Sequence, residues 1–360
     1  MPKIAVIGTT SWGITLAMLL ANKKYKVSLW ARTGREASKL INKPESFVFA
    51  KIDFPTNLNI TSSAESAIKG AAAVILAVPS QSMRQNTRII KDYLKPPMLV
   101  ISAAKGLELE TDKRMSEVIR EEISPEMHQS VCVLSGPNLA REILQGLPAS
   151  AVMAAVDESA ALRAQQLLST PNFCIYTTAD VIGVELGGAL KNIIALGAGM
   201  VDGLGYGDNA KAAFITRGLT EMAALGVALG ANPLTLSGLT GLGDLIATCA
   251  STLSRNHFVG VELTKDRALE EITSSMSGVA EGVSTTSAVW NLAQKLKLEM
   301  PITEKIYAVL YEGRDPGEVM AEVFGTAGRH ELVGRKWQLF GLFKRRRIKI
   351  KGPIKPASEE

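Results

Sequence analysis

Short apolar runs alternate with stretches of helical spacing through the first half of the chain. Residues 4–7, 27–30, 73–78, 99–102 and 131–134 are the apolar runs. Runs this short and this continuous fit strands buried on both faces. Residues 13–23, 81–93 and 112–122 lie between them and read as helices. The alternation predicts a parallel sheet with right-handed crossovers. Residues 150–155 and 174–177 read as further strands that extend it.

After Asp180 the pattern becomes purely helical, over residues 181–201, 211–229, 284–296 and 303–312. Asp180 suits the N-cap of the first of these. This places a domain boundary near residue 181, giving a sheet domain at 1–180 and a helical domain at 181–330. Residues 331–360 form a basic tail, expected to be poorly ordered. The uncharged stretch 222–243 is long enough to raise the question of a membrane span. Its glycines, with Asn232, Pro233, Thr235, Ser237 and Thr240, read instead as a buried helix end followed by a glycine-rich loop.

Composition adds limits. The chain has 360 residues, 46% hydrophobic and 21% charged, which is ordinary globular usage and enough for two cores. Its net charge of +5 is misleading. From Glu331 onward nine Lys or Arg against three Glu give a local +6, leaving the first 330 residues at −1. A near-neutral body argues against a nucleic-acid partner. Cys132, Cys174 and Cys249 stand far apart, which suits neither a disulfide framework nor a zinc site. They suit a reducing cytoplasm. Residues 1–7 run straight into a strand, leaving no room for a signal peptide.

The first strand runs into Gly8-Thr9-Thr10-Ser11-Trp12-Gly13 and then a helix. This has the placement and spacing of the dinucleotide fingerprint of a Rossmann fold, with Thr10 in place of the middle glycine. The helix N-terminus offers free N–H groups to a pyrophosphate. The second strand ends at Trp30-Ala31-Arg32, with no acid for a ribose 2′-hydroxyl. Arg32, helped by Arg35, suits a 2′-phosphate and favours NADPH over NADH, although a solvated arginine reads equally well.

Hydride transfer to a ketone needs a proton donor and a grip on the substrate. His128, His257 and His330 lack a persuasive context. Lys191 is the only charge between Glu185 and Asp202 on an apolar helix. Burying it unpaired would be costly, and Glu185, six residues away, is not a same-face partner. A carboxylate from elsewhere or an anionic substrate should face it; the alternative is a lysine that reaches to solvent. Asp244, closing Gly238-Leu239-Thr240-Gly241-Leu242-Gly243, is the possible partner, or a helix cap. Arg255, between Ser254 and Asn256, suits a phosphate or the bare surface. Lys105 and the segment Gly136-Pro137-Asn138 follow the fourth and fifth strands, where ligands of open α/β sheets bind.

Together these residues resemble the bacterial NAD(P)-dependent glycerol-3-phosphate dehydrogenases. The resemblance covers residues 1–330. It rests on segments 8–13, 102–108 (Ser-Ala-Ala-Lys-Gly-Leu-Glu), 135–140 (Ser-Gly-Pro-Asn-Leu-Ala), 184–192 (Val-Glu-Leu-Gly-Gly-Ala-Leu-Lys-Asn), 241–245 (Gly-Leu-Gly-Asp-Leu), 254–256 and 279–282 (Val-Ala-Glu-Gly), in that order. It implies a Rossmann domain, a helical domain, a homodimer, and interconversion of dihydroxyacetone phosphate and glycerol 3-phosphate for phospholipid synthesis. Gly8, Ser11, Trp12, Gly13, Arg32, Lys105, Ala140, Arg255, Val279 and Glu281 would hold NADPH or NADH. Lys105, Gly136, Asn138, Asp244, Ser254, Arg255 and Asn256 would line the substrate site. Lys191 would be the acid/base, with Lys105 and Asp244 beside it, and no metal is implied. Thr10 replaces a glycine usual in the family, Asn138 a Ser or Thr, and the tail is longer and more basic than the family needs. Leu339, Phe340, Leu342 and Phe343 beside Lys344–Arg347 suggest weak contact with anionic lipid, against a plainly solvated tail. Two other readings compete. One is a 6-phosphogluconate or 3-hydroxyacid type of dehydrogenase. The other is a non-catalytic nucleotide-binding module, which only Thr10 favours.

Overall fold

Eight strands form one sheet in a computed structural model that describes residues 2–43, 53–276 and 278–325. They are β1 (Lys3–Ile7), β2 (Lys26–Trp30), β3 (Leu58–Thr61), β4 (Ala71–Leu76), β5 (Leu99–Ser102), β6 (Val131–Ser135), β7 (Ala149–Ala155) and β8 (Phe173–Thr178). Their spatial order is β3-β2-β1-β4-β5-β6-β7-β8, and the first six are mutually parallel. This is the doubly wound order, with its switch point between β1 and β4. The continuous apolar runs are explained by burial on both faces. Ile4 and Val6 face one core with helices Ser11–Asn22 and Glu158–Leu168. Ala5 and Ile7 face another with helices Met83–Ile90 and Met115–Glu122.

The two strands expected to extend the sheet do so, as β7 and β8, but β7 runs antiparallel to β6. A parallel connection must carry the chain back along the length of a strand. The link between them holds only the short helix Ala140–Leu144, roughly 7 Å long at ~1.5 Å per residue. The chain therefore turns over at the same end of the sheet. Helix Glu158–Leu168 is long enough to return, and β8 pairs parallel to β7.

Beyond β8 everything described is helical, around Val181–Gly203. Asp180 caps this helix, its Oδ1 accepting from Gly183 N at 2.9 Å, while Oδ2 accepts from Asn232 N at 2.9 Å. The helix is long and apolar enough to cross a membrane, but its apolar window is 94% buried inside the protein. A third core surrounds it, drawn from Leu186 to Val323 with Leu107 from the sheet side. Glu185 is satisfied away from Lys191. It accepts from Arg114 Nη1 at 2.6 Å, Ser116 N at 2.7 Å and Ser116 Oγ at 2.6 Å, tying this helix to the start of Met115–Glu122. Residues 222–243 prove more ordered than a loop. Helix Gly207–Ala228 ends there, a turn at Pro233–Leu236 follows, and Leu239–Gly243 forms a π-helical turn. Met1–Phe324 is one compact unit. The basic tail, with His330, lies outside the described residues.

Helix Arg255–Leu263 crosses the central helix closely enough to need glycine on both sides. A Cβ on Gly260 would stand 1.9 Å from Leu196 O, and one on Gly199 2.1 Å from His257 O. The approach sets the position of Ser254, Arg255 and Asn256. Gly260→Ala should therefore cost about 1–3 kcal/mol through overpacking, read as a lower midpoint in thermal or urea unfolding. An unchanged midpoint would mean that the helices separate freely.

Candidate active site

The crevice begins at the switch point. Gly8, at φ +109°, ends β1 where a side chain would collide with Ala77 O at 2.8 Å. Thr10 takes an ordinary extended backbone and caps helix Ser11–Asn22, its Oγ1 accepting from Gly13 N at 3.0 Å. The same hydroxyl donates to Ala77 O at 2.7 Å, beyond the end of β4. The side chain that replaces a glycine is thus pinned to the neighbouring strand end. The Ser11 and Trp12 amides, first in the helix, have no intrahelical partner and suit an anion. Trp12 Nε1 is buried without a hydrogen-bond partner. Arg32 is exposed beyond β2, and Ala140 opens its short helix with its carbonyl 3.5 Å from Thr15 Oγ1.

Three charged groups meet further along the strand ends. Lys105, in the loop after β5, donates from Nζ to Asp244 Oδ2 at 2.6 Å and to Gly136 O at 2.7 Å. Lys191 Nζ donates to Asp244 Oδ1 at 2.9 Å and to Thr248 Oγ1 at 2.6 Å. Asp244 is 2% exposed and Lys191 7%. Two ammonium groups share one carboxylate, so the cluster is one positive charge in excess when both lysines are protonated. Burial opposes the ionisation of Asp244. The charges and hydrogen bonds of Lys105 and Lys191 outweigh it and hold the carboxyl below its ordinary range. Burial lowers Lys105 to about 8, with Asp244 pulling upward and the charge on Lys191 pushing further down.

A second layer orients this cluster. Asn192 Nδ2 donates to Lys105 O at 3.1 Å, and its Oδ1 accepts from Asn256 Nδ2 at 2.8 Å. Asn256 Oδ1 accepts from Gly282 N at 2.9 Å. The expected substrate residue Asn256 therefore has both ends of its amide committed to the frame. Ser254 likewise caps helix Arg255–Leu263, its Oγ accepting from His257 N at 3.2 Å. Arg255, by contrast, is exposed. Glu281, expected at the cofactor, accepts from Ser80 N at 3.0 Å and from the Ser80 hydroxyl. Burial raises its carboxyl. Val279 is exposed nearby in the chain. Asn138 has both side-chain polar atoms buried and partnerless, as a group that awaits a ligand would. Among the described residues no group of three or more His, Cys, Asp or Glu is placed to hold a metal.

Sequence reasoning assigned no role to Thr248, Asn192 or Ser80. Thr248 sits four residues after Asp244 on one helix, a spacing that puts both on one face. Asn192 adjoins Lys191 in a segment already singled out. Ser80 carries no local signal, since its partner is 201 residues away.

Residues 3–161 match the family described as NAD-dependent glycerol-3-phosphate dehydrogenase N-terminus, and residues 180–321 match its C-terminus. The chain belongs to the NAD-dependent glycerol-3-phosphate dehydrogenase family. It is 58% identical over 358 residues to a glycerol-3-phosphate dehydrogenase [NAD(P)+] of Dehalococcoides mccartyi, covering 99% of this chain and 100% of that one. A namesake from Moorella thermoacetica is 46% identical over 335 residues, covering 93% and 99%. The crystal structure of glycerol-3-phosphate dehydrogenase from Coxiella burnetii superposes with a TM-score of 0.85 at 33% identity, covering 90% and 99%. The nicotinamide coenzyme of the family fits the first turn, where the close glycine, the free helix amides and the unpartnered Trp12 Nε1 stand ready. The pinned Thr10 removes the one feature that favoured a non-catalytic module.

With burial lowering Lys105 to about 8, the expectation is that it loses its proton as pH rises through that value and that an anionic ligand held at its ammonium then binds less well. kcat/KM should fall as pH rises through that value, and Lys105→Arg should carry the falling limb to higher pH. A limb that stays put would assign it to another group.

Proposed function

We propose that this chain interconverts dihydroxyacetone phosphate and sn-glycerol 3-phosphate with NAD(P)H, using Lys191 as the general acid/base. The observation that carries the proposal is the buried Lys191–Asp244–Lys105 cluster, which presents a fixed ammonium and an excess positive charge. The coenzyme, when bound, supplies the hydride. Lys191 holds the proton at Nζ, for delivery to the carbonyl oxygen in reduction and for recovery from the hydroxyl in oxidation. Asp244 and Thr248 fix the direction of that ammonium through the hydrogen bonds that they accept from it. Lys105 and Arg255 draw the phosphate by charge, and Asn138 offers a donor and an acceptor to the substrate. Gly8, Ser11, Trp12, Gly13, Arg32, Ala140, Val279 and Glu281 serve the coenzyme in this reading, and Gly136, Ser254 and Asn256 shape the substrate side.

In this reading the sheet half (1–180) is a coenzyme domain and the helical half (181–330) a catalytic one. The product feeds phospholipid synthesis in the cytoplasm. A homodimer and weak contact of the basic tail with anionic lipid complete it. Light scattering tests the dimer, and liposome sedimentation of the full chain against a chain ending at residue 330 tests the lipid contact.

Oxidation of NADPH and NADH should require dihydroxyacetone phosphate, and 6-phosphogluconate or 3-hydroxyacids should not replace its product in reverse. Lys191→Ala should lower kcat by roughly 10²-fold or more, with coenzyme affinity little changed. Wild type that binds coenzyme without turnover, or a Lys191→Ala enzyme of near-normal kcat, would overturn the assignment.

A further inference from the structure

We propose that Glu36 sets the balance between NADH and NADPH, its carboxylate accepting from the 2′-hydroxyl of the one and repelling the 2′-phosphate of the other. The proposal rests on the coenzyme reading above. β2 ends without an acid, at Trp30-Ala31-Arg32, but the fold returns one to that place. Glu36 lies in the first turn of helix Gly34–Asn42. Its Oε2 accepts from Arg32 N at 3.0 Å, and its Oε1 accepts from the hydroxyl of Thr9. Arg32 follows β2, and Thr9 lies in the turn after β1. A carboxylate bridging those two segments stands at the adenosine side of the crevice, where an acid ordinarily meets the ribose.

Local structure explains how it gets there. Thr33 is the N-cap, its Oγ1 accepting from Glu36 N at 3.1 Å. This fixes Glu36 at the third helical position, whose side chain commonly folds back toward the cap. Here it reaches one residue further, to Arg32. A carboxylate can accept at about four sites, and Thr9 and Arg32 occupy one each. Capacity remains for a ribose hydroxyl, while nothing in the group can donate to a phosphate. Thr9 is 8% exposed and Glu36 half-buried, so solvent screens the charge incompletely. Arg32 and Arg35, both exposed, pull the other way. Coenzyme preference is then a contest between one partly buried acid and two solvated cations.

A helix cap alone would make the same hydrogen bonds, so the deciding measurement is a ratio. Glu36→Gln keeps the size and an acceptor and removes the charge. Fluorescence titration of the full chain with NADPH and with NADH, without substrate, should show the Kd ratio moving toward NADPH by about tenfold, the scale of one like-charge repulsion across a few ångströms. The kcat/KM ratio should move the same way, with KM for dihydroxyacetone phosphate unchanged. Thr9→Val leaves the charge and removes one of its donors, and should move the ratio toward NADH even if Glu36→Gln does not fold. Equal loss of both affinities, or a ratio within about twofold of wild type in the folded variants, would reduce Glu36 to a cap and overturn the proposal. A wild type that binds both coenzymes but does not turn over dihydroxyacetone phosphate would sink the reaction assignment alone.

Discussion

One buried carboxylate, shared by two lysines, is the constraint around which this molecule is arranged. Asp244 comes from helix Asp244–Ala250, Lys191 from the central helix and Lys105 from the loop after β5. Each charge would be costly to bury alone. Together they are tolerated only because the distances are short and because Thr248 Oγ1 and Gly136 O each accept a second hydrogen, from Lys191 and Lys105 respectively. Breaking a buried pair by removing one partner typically costs about 3–5 kcal/mol. The geometry is therefore rigid for the same reason that it is expensive. Rigidity is what the proton transfer proposed for Lys191 needs, because a donor must already point at its acceptor.

The same logic extends outward through polar links between the sheet and the helices. Asn192 and Asn256 carry a chain of hydrogen bonds from Lys105 O to Gly282 N. Glu281 grips Ser80 beside β4, and Glu185 grips Arg114 and Ser116. Each link satisfies a polar group that burial would otherwise penalise. Together they hold the coenzyme crevice against the lysine cluster without relying on apolar packing alone, which is non-directional.

Legibility along the chain followed the range of the interaction. The continuous apolar runs gave the parallel strands, since burial on both faces leaves a local trace. Asp180 was readable as a cap because capping is decided within three residues. β3 escaped notice: it is a four-residue strand at the sheet edge, and only Leu58 and Ile60 in it are apolar. Helices Gly34–Asn42 and Arg255–Leu263 were also missed, although Thr33 and Ser254 stand as caps before them. The reversal at β7 depended on the length of the connection more than on any residue in the strand.

The order of chemical types along the chain determined by itself the doubly wound sheet, the apolar central helix, the coenzyme turn and the need of Lys191 for an anionic partner. Each of these depends on neighbours in sequence or on the cost of burying a charge. Only the tertiary structure decided that Asp244 answers both Lys191 and Lys105, that Thr10 turns onto Ala77, that Glu36 returns to the end of β2, and that Ser80 meets Glu281. All but the Glu36–Arg32 contact join residues from 53 to 201 positions apart, that one turns on a side-chain rotamer, and hydrogen bonds of a few ångströms leave no trace in local composition.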